Sequence, residues 1–179
     1  MRHTLVALVE DKPGVLTRMA SLFRRRGFNI ENIAVGHSEL PNLSRMTIVV
    51  NGTASILEQV RKQLSKVVNV VKITDVTEDN ITVRELALIK VRATSSTRSE
   101  IIEIADIFRA SIVDVAGDSL TIEITGDEDK VDSLLNLLRS FGIKEVARTG
   151  SIAMLRGSTG QLRAEERTSK TRKEGYKLL

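Results

Sequence analysis

The stretch that decides the fold is residues 11–36, DKPGVLTRMASLFRRRGFNIENIAVG. It opens with a Pro-Gly turn, continues as an amphipathic segment that Gly27 ends, and closes on an apolar run, which together predict a strand end, a turn, a helix and a second strand. A turn that delivers a helix N-terminus to a sheet edge leaves backbone N–H groups free to hold a small anion such as a carboxylate. No catalytic His, Cys or Ser constellation accompanies it, so the segment predicts sensing of a small molecule rather than its conversion.

The rest of the first half completes a βαββαβ order. Residues 4–10 form an uninterrupted apolar run that is typical of a central strand. A second amphipathic segment follows later, and Ser55 is placed to cap it. The predicted elements are a strand at residues 4–10, a helix at 14–26, strands at 29–38 and 43–50 around a Pro41-Asn42 loop, a helix at 55–67 and a strand at 70–76.

The same order recurs in the second half of the chain. Ser99 is placed to cap the first helix of this half, Gly117-Asp118 is a hairpin-turn dipeptide, and Gly142 ends the second helix. The predicted elements are a strand at residues 85–93, a helix at 99–108, strands at 112–116 and 119–125, a helix at 127–141, and a strand at 145–149 that either ends there or continues through 152–155.

These patterns predict an α+β protein with two tandem ferredoxin-like domains. The predicted boundaries are residues 1–77 for the first domain, 78–83 for a linker, 84–156 for the second domain and 157–179 for a basic, flexible tail. A four-stranded sheet of this kind exposes an edge, and a small domain buries apolar area poorly. We therefore expect a homodimer.

Composition excludes several classes of protein. The chain has no Cys, which removes disulfides, thiolate catalysis and Cys-based zinc sites. No apolar run approaches the ~20 residues of a membrane span, and the chain enters strand pattern directly, so we expect a cytoplasmic protein without membrane association. Residues 156–179 carry seven Lys or Arg and three Asp or Glu, so the net charge of +4 belongs to the tail.

Five short segments together resemble the small, regulatory subunit of acetolactate synthase (acetohydroxyacid synthase), and the first half is similar to an ACT domain, the amino-acid-sensing version of the ferredoxin-like fold. The similarity runs from about residue 2 to residue 156. The Pro-Gly turn alone occurs in many ACT proteins, whereas the segment around Ser44 and the motifs of the second half are more specific to this family. The segments are EDKPGVL (10–16), RGFNIENI (26–33), LSRMTI (43–48), IFRASIVDV (107–115) and EVARTG (145–150).

The resemblance implies an effector site at the interface of two ACT domains, with the first turn of one chain facing the second strand of the other. It implies Asp11, Gly14, Val15 and Leu16 on one side, and Asn29, Ile30, Val35 and Gly36 on the other. The chemistry agrees, because Gly14 lets a carboxylate approach, the amides of Val15 and Leu16 are expected to be free, and Asn29 offers both a donor and an acceptor. Asp11 stands where Asn is common in valine-sensitive members, and Lys12 is expected to offset its charge.

The resemblance also implies a partner and its cofactors. The chain would bind the large catalytic subunit, raise its activity, and impose feedback inhibition by valine or a related branched-chain amino acid. Thiamine diphosphate, Mg and FAD would belong to that catalytic partner, with no cofactor, metal or catalytic residue in this chain. Ser44 and Arg45 are candidates for contact with the catalytic subunit.

Two other classes of function remain open at this point. One is a tandem-ACT sensor that acts on transcription through another protein, because no helix-turn-helix is visible. The other is an RNA-binding ferredoxin-like protein, but the few aromatic residues do not form a stacking pattern on a strand, so we expect no nucleic-acid partner. An enzyme lacks support, because no nucleophile–base pair or metal cluster is present in the sequence pattern.

Overall fold

The computed structural model describes residues 1–157, and the predicted tail lies outside the described residues except for Gly157. Two successive βαββαβ units are present, as predicted. The first unit contains β1 (Arg2–Glu10), α1 (Val15–Arg26), β2 (Ile30–His37), β3 (Leu43–Asn51), α2 (Ala54–Leu64) and β4 (Val70–Asp75). The second contains β5 (Ile81–Arg92), α3 (Arg98–Ile107), β6 (Ser111–Val115), β7 (Ser119–Gly126), α4 (Glu128–Leu138) with a 3-10 turn (Arg139–Phe141), β8 (Ile143–Arg148) and β9 (Ile152–Leu155).

The first sheet has the strand order β2-β3-β1-β4, and its neighbouring strands are antiparallel. The helices α1 and α2 pack on one face, where Leu5, Ala7 and Val9 of β1 meet Phe23 of α1 and Val60 of α2 in one core. The strand β2 lies at one edge and β4 at the other. This is the ferredoxin-like arrangement that the βαββαβ order predicts, and it places the Gly14 turn at the same end of the sheet as the end of β2.

The second sheet repeats this topology with the order β6-β7-β5-β8. Ala87, Ile89 and Val91 of β5 face α3 and α4, and they pack with Ile101 and Leu134 in a second, separate core. Buried and more exposed residues alternate along β5 from Glu85 onward, so only one side of the strand faces this core. Two small cores, each with its own pair of helices, confirm the predicted tandem fold.

The last strand, β9, belongs to neither repeat and joins them. It pairs with the first four residues of β5, with Ala153 opposite Val83. Residues 81–84 and 152–155, which we call the cover, lie over the helix-free face of the first sheet. There Ala153 joins Val6, Leu8 and Val76 in a third apolar cluster. The linker prediction is therefore wrong for residues 81–83, which are strand, and β9 is a separate strand rather than a continuation of β8.

Two predicted helix caps each lie two residues too late in the sequence. The helix α2 is capped by Thr53, whose Oγ1 accepts a hydrogen bond from the Ile56 N–H at 3.4 Å, while Ser55 lies inside the first turn. The helix α3 follows Thr97 rather than Ser99, and the Thr97 hydroxyl accepts from the Thr94 N–H at 3.0 Å. Spacing alone did not distinguish neighbouring Ser and Thr residues, because each of them suits a cap chemically.

No helix within residues 1–157 is both long and apolar enough to cross a membrane.

Candidate functional site

The turn before α1 presents an uncapped helix N-terminus. Gly14 is the N-cap residue with φ 83°, in the left-handed region that favours glycine, and a Cβ built there meets no atom of the described chain within 4 Å. The helix α1 begins without a side-chain cap from within residues 1–157, and its first turn contains no acidic residue. By contrast, the N-terminus of α4 is capped by Asp127 and carries two further acids. The positive end of α1 is thus the one left open to an anion.

The two amides at the start of α1 differ. The Val15 N–H donates to the Lys12 carbonyl at 3.4 Å, and the Val15 side chain is buried in the first core. The Leu16 N–H has no hydrogen-bond acceptor in the described part of the chain, and the Leu16 side chain is 49% exposed. The prediction that both amides are free is therefore wrong for Val15, and the available donor is that of Leu16.

The Asp11 carboxylate is held by a residue that the sequence analysis did not single out. His37, at the end of β2, places its Nδ1 3.3 Å from Asp11 Oδ2. Lys12 instead pairs with Glu10 at 3.0 Å, so the expectation that Lys12 offsets the charge of Asp11 is wrong. The signal for His37 was its position directly after Gly36, one residue beyond the predicted site.

The predicted residues of β2 lie at its two ends. Val35 and Gly36 are exposed and lie at the end of β2 that the His37–Asp11 contact joins to the loop after β1, whereas Asn29 and Ile30 are at the opposite end of the strand. Six residues separate Ile30 from Gly36, which is about 20 Å of extended chain. Ile30 also packs partly on the first core. One chain therefore places Val35 and Gly36 at the same end of the sheet as Asp11 and the Gly14 turn, but it does not place Asn29 and Ile30 there.

Gly36 has no internal reason to be glycine. Its φ is not in the left-handed region, and a Cβ there would meet no described atom within 4 Å. A side chain would nevertheless extend from the edge strand beside the Asp11–His37 pair. The missing side chain leaves room for close approach by something outside this chain.

The two residues expected to contact a catalytic partner are engaged within the chain. Ser44 is buried, and Arg45 is half-buried with its Nη2 donating to the Ala153 carbonyl at 2.9 Å. Burial lowers the pKa of Arg45, with the negative charge of Glu39 acting in the opposite direction. Ser44 therefore offers almost no free surface and Arg45 only part of its side chain, and their contact with a partner stays a prediction.

A charged cleft lies where the two domains meet. Arg2 pairs with Glu31 at 2.9 Å and with Glu128 of α4, and the hydrogen bond from Arg2 to Glu128 raises the Arg2 pKa. Arg148 bridges buried Glu85 and Asp132. Two openings of about 290 Å³ and 530 Å³ flank Arg2. Within the described range, no three His, Cys, Asp or Glu side chains are placed to hold a metal ion.

The fold and this site define a class: tandem ferredoxin-like proteins in which an open helix N-terminus at a sheet edge suits a small anionic ligand. Comparisons with known proteins identify the family within this class. Residues 5–72 match the model of the AHAS small subunit-like ACT domain, and residues 84–157 match that of the small subunit of acetolactate synthase. The first domain is therefore an ACT domain, as predicted.

Relatives support the same assignment over most of the chain. A probable acetolactate synthase small subunit from Archaeoglobus fulgidus is 56% identical over 158 residues, covering 88% of this chain and 99% of the relative. The acetolactate synthase small subunit of Mycolicibacterium smegmatis is also 56% identical, covering 88% and 93%. A crystal structure of the Thermotoga maritima small subunit has a TM-score of 0.82 at 46% identity, covering 88% and 99%. This chain belongs to the acetolactate synthase small subunit family.

Family membership supports a regulatory role and fits a chain without catalysis of its own. A small subunit also implies a large catalytic subunit as its partner. The transcription-linked and RNA-binding alternatives gain no support from these comparisons.

Proposed function

We propose that this chain activates a thiamine-diphosphate-dependent acetolactate synthase large subunit and confers feedback inhibition by a branched-chain amino acid, with valine as the first candidate. The observation that carries the effector part is the open N-terminus of α1, where the Leu16 N–H is available at the same end of the sheet as the end of edge strand β2. A carboxylate gains both a hydrogen bond and the field of the helix dipole at this place.

The groups around that amide suit the other parts of an amino acid. Asp11, held by His37, is an acceptor for the ammonium group, and it replaces the neutral amide that Asn would offer. Val35 and Leu16 are each 49% exposed, and they offer apolar surface to a branched side chain. The zwitterion and the aliphatic side chain therefore both have partners on residues that lie close together.

The proposed site is completed by a second copy of the chain. If two β2 edges pair antiparallel about a two-fold axis centred between Asn32 and Ile33, residues 29 and 30 of one chain lie opposite residues 36 and 35 of the other. Asn29 and Ile30 of the second chain then reach the turn from which they are remote in a single chain. The same pairing removes the exposed sheet edge, which supports the expected homodimer.

The cofactors of the proposed assembly are assigned to the catalytic partner. Thiamine diphosphate, Mg and FAD would be held by the large subunit, and this chain would supply only regulation. The cytoplasmic location follows from that of soluble biosynthetic enzymes and is part of the same proposal.

Reconstitution with the cognate large subunit tests the proposal. This chain alone should show no turnover, should raise the rate of the large subunit when added, and should make that rate sensitive to valine, isoleucine or leucine. Calorimetry should detect binding of at least one of the three to the isolated dimer, whose thermal midpoint then rises with ligand concentration by mass action. Absence of binding by all three would remove the sensor, and failure to associate with the large subunit would favour the transcription-linked alternative.

Two substitutions at one position separate charge from backbone strain. Gly14→Asp and Gly14→Asn place side chains of nearly the same shape in the left-handed conformation, which both residues tolerate better than most. Because only Asp repels the effector carboxylate, inhibition should weaken more in Gly14→Asp than in Gly14→Asn, with activation retained by both. Equal inhibition of the two variants and the unmodified protein would show that the site lies elsewhere.

A further inference from the structure

Both backbone groups of Ala153 in β9 are bound by side chains of β3. The Ala153 N–H donates to Thr47 Oγ1 at 3.2 Å, and its carbonyl accepts from Arg45 Nη2 at 2.9 Å. Ala153 is buried in the apolar cluster with Val6 and Leu8, so these groups would otherwise lack partners. The two side chains, which we call the clamp, hold the cover on the first sheet.

The clamp lies directly beside the strand of the proposed effector site. In the register of the first sheet, Arg45 is opposite Gly36 and Thr47 is opposite Ala34 of β2. On its other side, Arg45 is opposite Leu8 of β1, which lies under the cover. Arg45 and Thr47, which hold β9, are thus direct cross-strand neighbours of β2. A change in the position of β2 therefore acts on them directly.

The arrangement of Arg45 suits a contact that can be released. None of the ion pairs of residues 1–157 includes Arg45, so its half-buried cation is held by a neutral carbonyl. Burial lowers its pKa, which means that the charge is partly desolvated where it lies. Release from Ala153 returns the guanidinium to water and recovers hydration, which offsets part of the lost bond.

We propose that the Arg45–Thr47 clamp transmits occupancy of the effector site from β2 to β9 and so to the C-terminal domain. This inference rests on the proposed function, and it assigns a route to the regulation. Occupancy at Val35 and Gly36 biases β2, the clamp on β3 tightens or loosens, and β9 carries the change to β5, the central strand of the second sheet. The second domain then differs between the free and the liganded protein, and it presents that difference to the catalytic subunit.

The test uses variants of the full chain with the cognate large subunit and valine. Thr47→Val keeps the side-chain shape and removes the acceptor, and Arg45→Met keeps an apolar stem and removes the donor. Thr125→Val is the matched control, because Thr125 on β7 is opposite Leu86 of β5 just as Thr47 is opposite Val6 of β1, but its hydroxyl is exposed and holds no strand. Three quantities are measured: valine binding by calorimetry, inhibition in the reconstituted enzyme, and hydrogen exchange of the Ala153 amide.

We expect both clamp variants to bind valine within about threefold of the unmodified protein while the Ala153 amide exchanges at least tenfold faster. The valine concentration that gives half inhibition should rise at least tenfold in both variants. Activation without valine should persist in Thr47→Val, and it is judged on that variant alone because Arg45 is itself a candidate for contact with the catalytic subunit. Thr125→Val should match the unmodified protein in all three. Because linkage is reciprocal, the large subunit should also cease to alter valine affinity in the clamp variants.

Two results would overturn the clamp alone. One is normal inhibition in variants whose Ala153 amide exchanges faster, and the other is unchanged exchange, which would show that the two side chains do not hold β9. A different result marks failure of the proposed function: the unmodified protein itself would then show no valine response with the large subunit, and the transmission route would fall with it.

Discussion

The strands β1 and β5 occupy the same central place in two sheets of the same topology, yet they are buried differently. Five consecutive residues of β1 are buried, because α1 and α2 cover one face and the cover lies on the other. In β5, buried and more exposed residues alternate after Glu85, because within residues 1–157 only α3 and α4 cover that sheet. The repeat is thus symmetric on the helix side and asymmetric on the open side, where the cover lies on the first sheet.

The largest difference in stability is expected at one pair of leucines that have matching positions in β1 and β5. Leu8 and Leu88 have equivalent positions, but Leu8 is 0% exposed and Leu88 is 38% exposed. Leu8→Ala should lower the free energy of unfolding by about 2–5 kcal/mol, since it leaves a cavity under the cover. Leu88→Ala should cost less than about 1 kcal/mol, because its site is already open to water. Urea unfolding followed by circular dichroism measures both, and equal losses would mean that the cover is not bound in solution.

A smaller loss of stability is expected when the helix caps are removed. On the helix side the two domains should lose similar amounts. Thr53 caps α2 and Asp127 caps α4, with Asp127 Oδ1 accepting from the Lys130 N–H at 2.9 Å. Each change to Ala should cost about 1 kcal/mol, with Asp127→Ala at least as costly because its carboxylate also meets the helix dipole. Ser55→Ala is the control and should be nearly silent. A loss at Ser55 that matched the loss at Thr53 would restore the cap expected from the sequence.

The smallest effect concerns surface ion pairs, one on each domain. The hydrogen bond from Lys144 lowers the pKa of Asp118, and that from Lys62 lowers the pKa of Glu58. A carboxyl whose pKa is lower in the folded state stabilises the fold above its ordinary pKa, and this contribution is lost as the pH falls through the folded value. Asp118→Asn and Glu58→Gln should therefore lower the thermal midpoint slightly at neutral pH and leave it unchanged in acid. Because both carboxylates are exposed, the difference should shrink in high salt, and a difference that persisted in acid would assign it to another cause.

Local sequence pattern predicted the repeat well, and the reason is physical. The run at residues 4–10, the amphipathic segments of the first half and the Gly stops at 27 and 142 are each decided by neighbours in sequence. The pairing of β9 with β5 was not predictable in this way. A four-residue strand is too short to show a recognisable period-two pattern. The strand with which it pairs lies about seventy residues earlier in the sequence. The linker boundary failed for the same reason, because residues 81–83 are strand only when β9 is beside them.

The candidate site was predictable only in part. The Gly14 turn and β2 could be identified from motif and spacing, but the acceptor of the Val15 amide and the partner of Asp11 depend on loop geometry that no periodicity encodes. Arg45 shows the limit most clearly. The resemblance suggested Ser44 and Arg45 as contacts for the catalytic subunit, which stays a prediction. The structure adds a bond from Arg45 to a carbonyl more than one hundred residues away in the sequence, which no local pattern encodes. The partners of these residues depend on tertiary structure, and the role of the residues in effector binding stays a prediction.

The cover also sets the order in which parts of the chain can fold during synthesis. As the chain is synthesised from its N-terminus, the first ACT-domain sheet can form once residue 76 is available, but Val6 and Leu8 stay uncovered until β9 emerges. At about 5–20 residues per second, the intervening residues take roughly 4–16 s to make. During that interval each nascent chain exposes an apolar sheet face next to a free strand edge, the combination that invites aggregation between neighbouring chains on one messenger. Ribosome spacing and chaperone access would then influence the yield of a subunit whose finished surface gives no sign of the hazard.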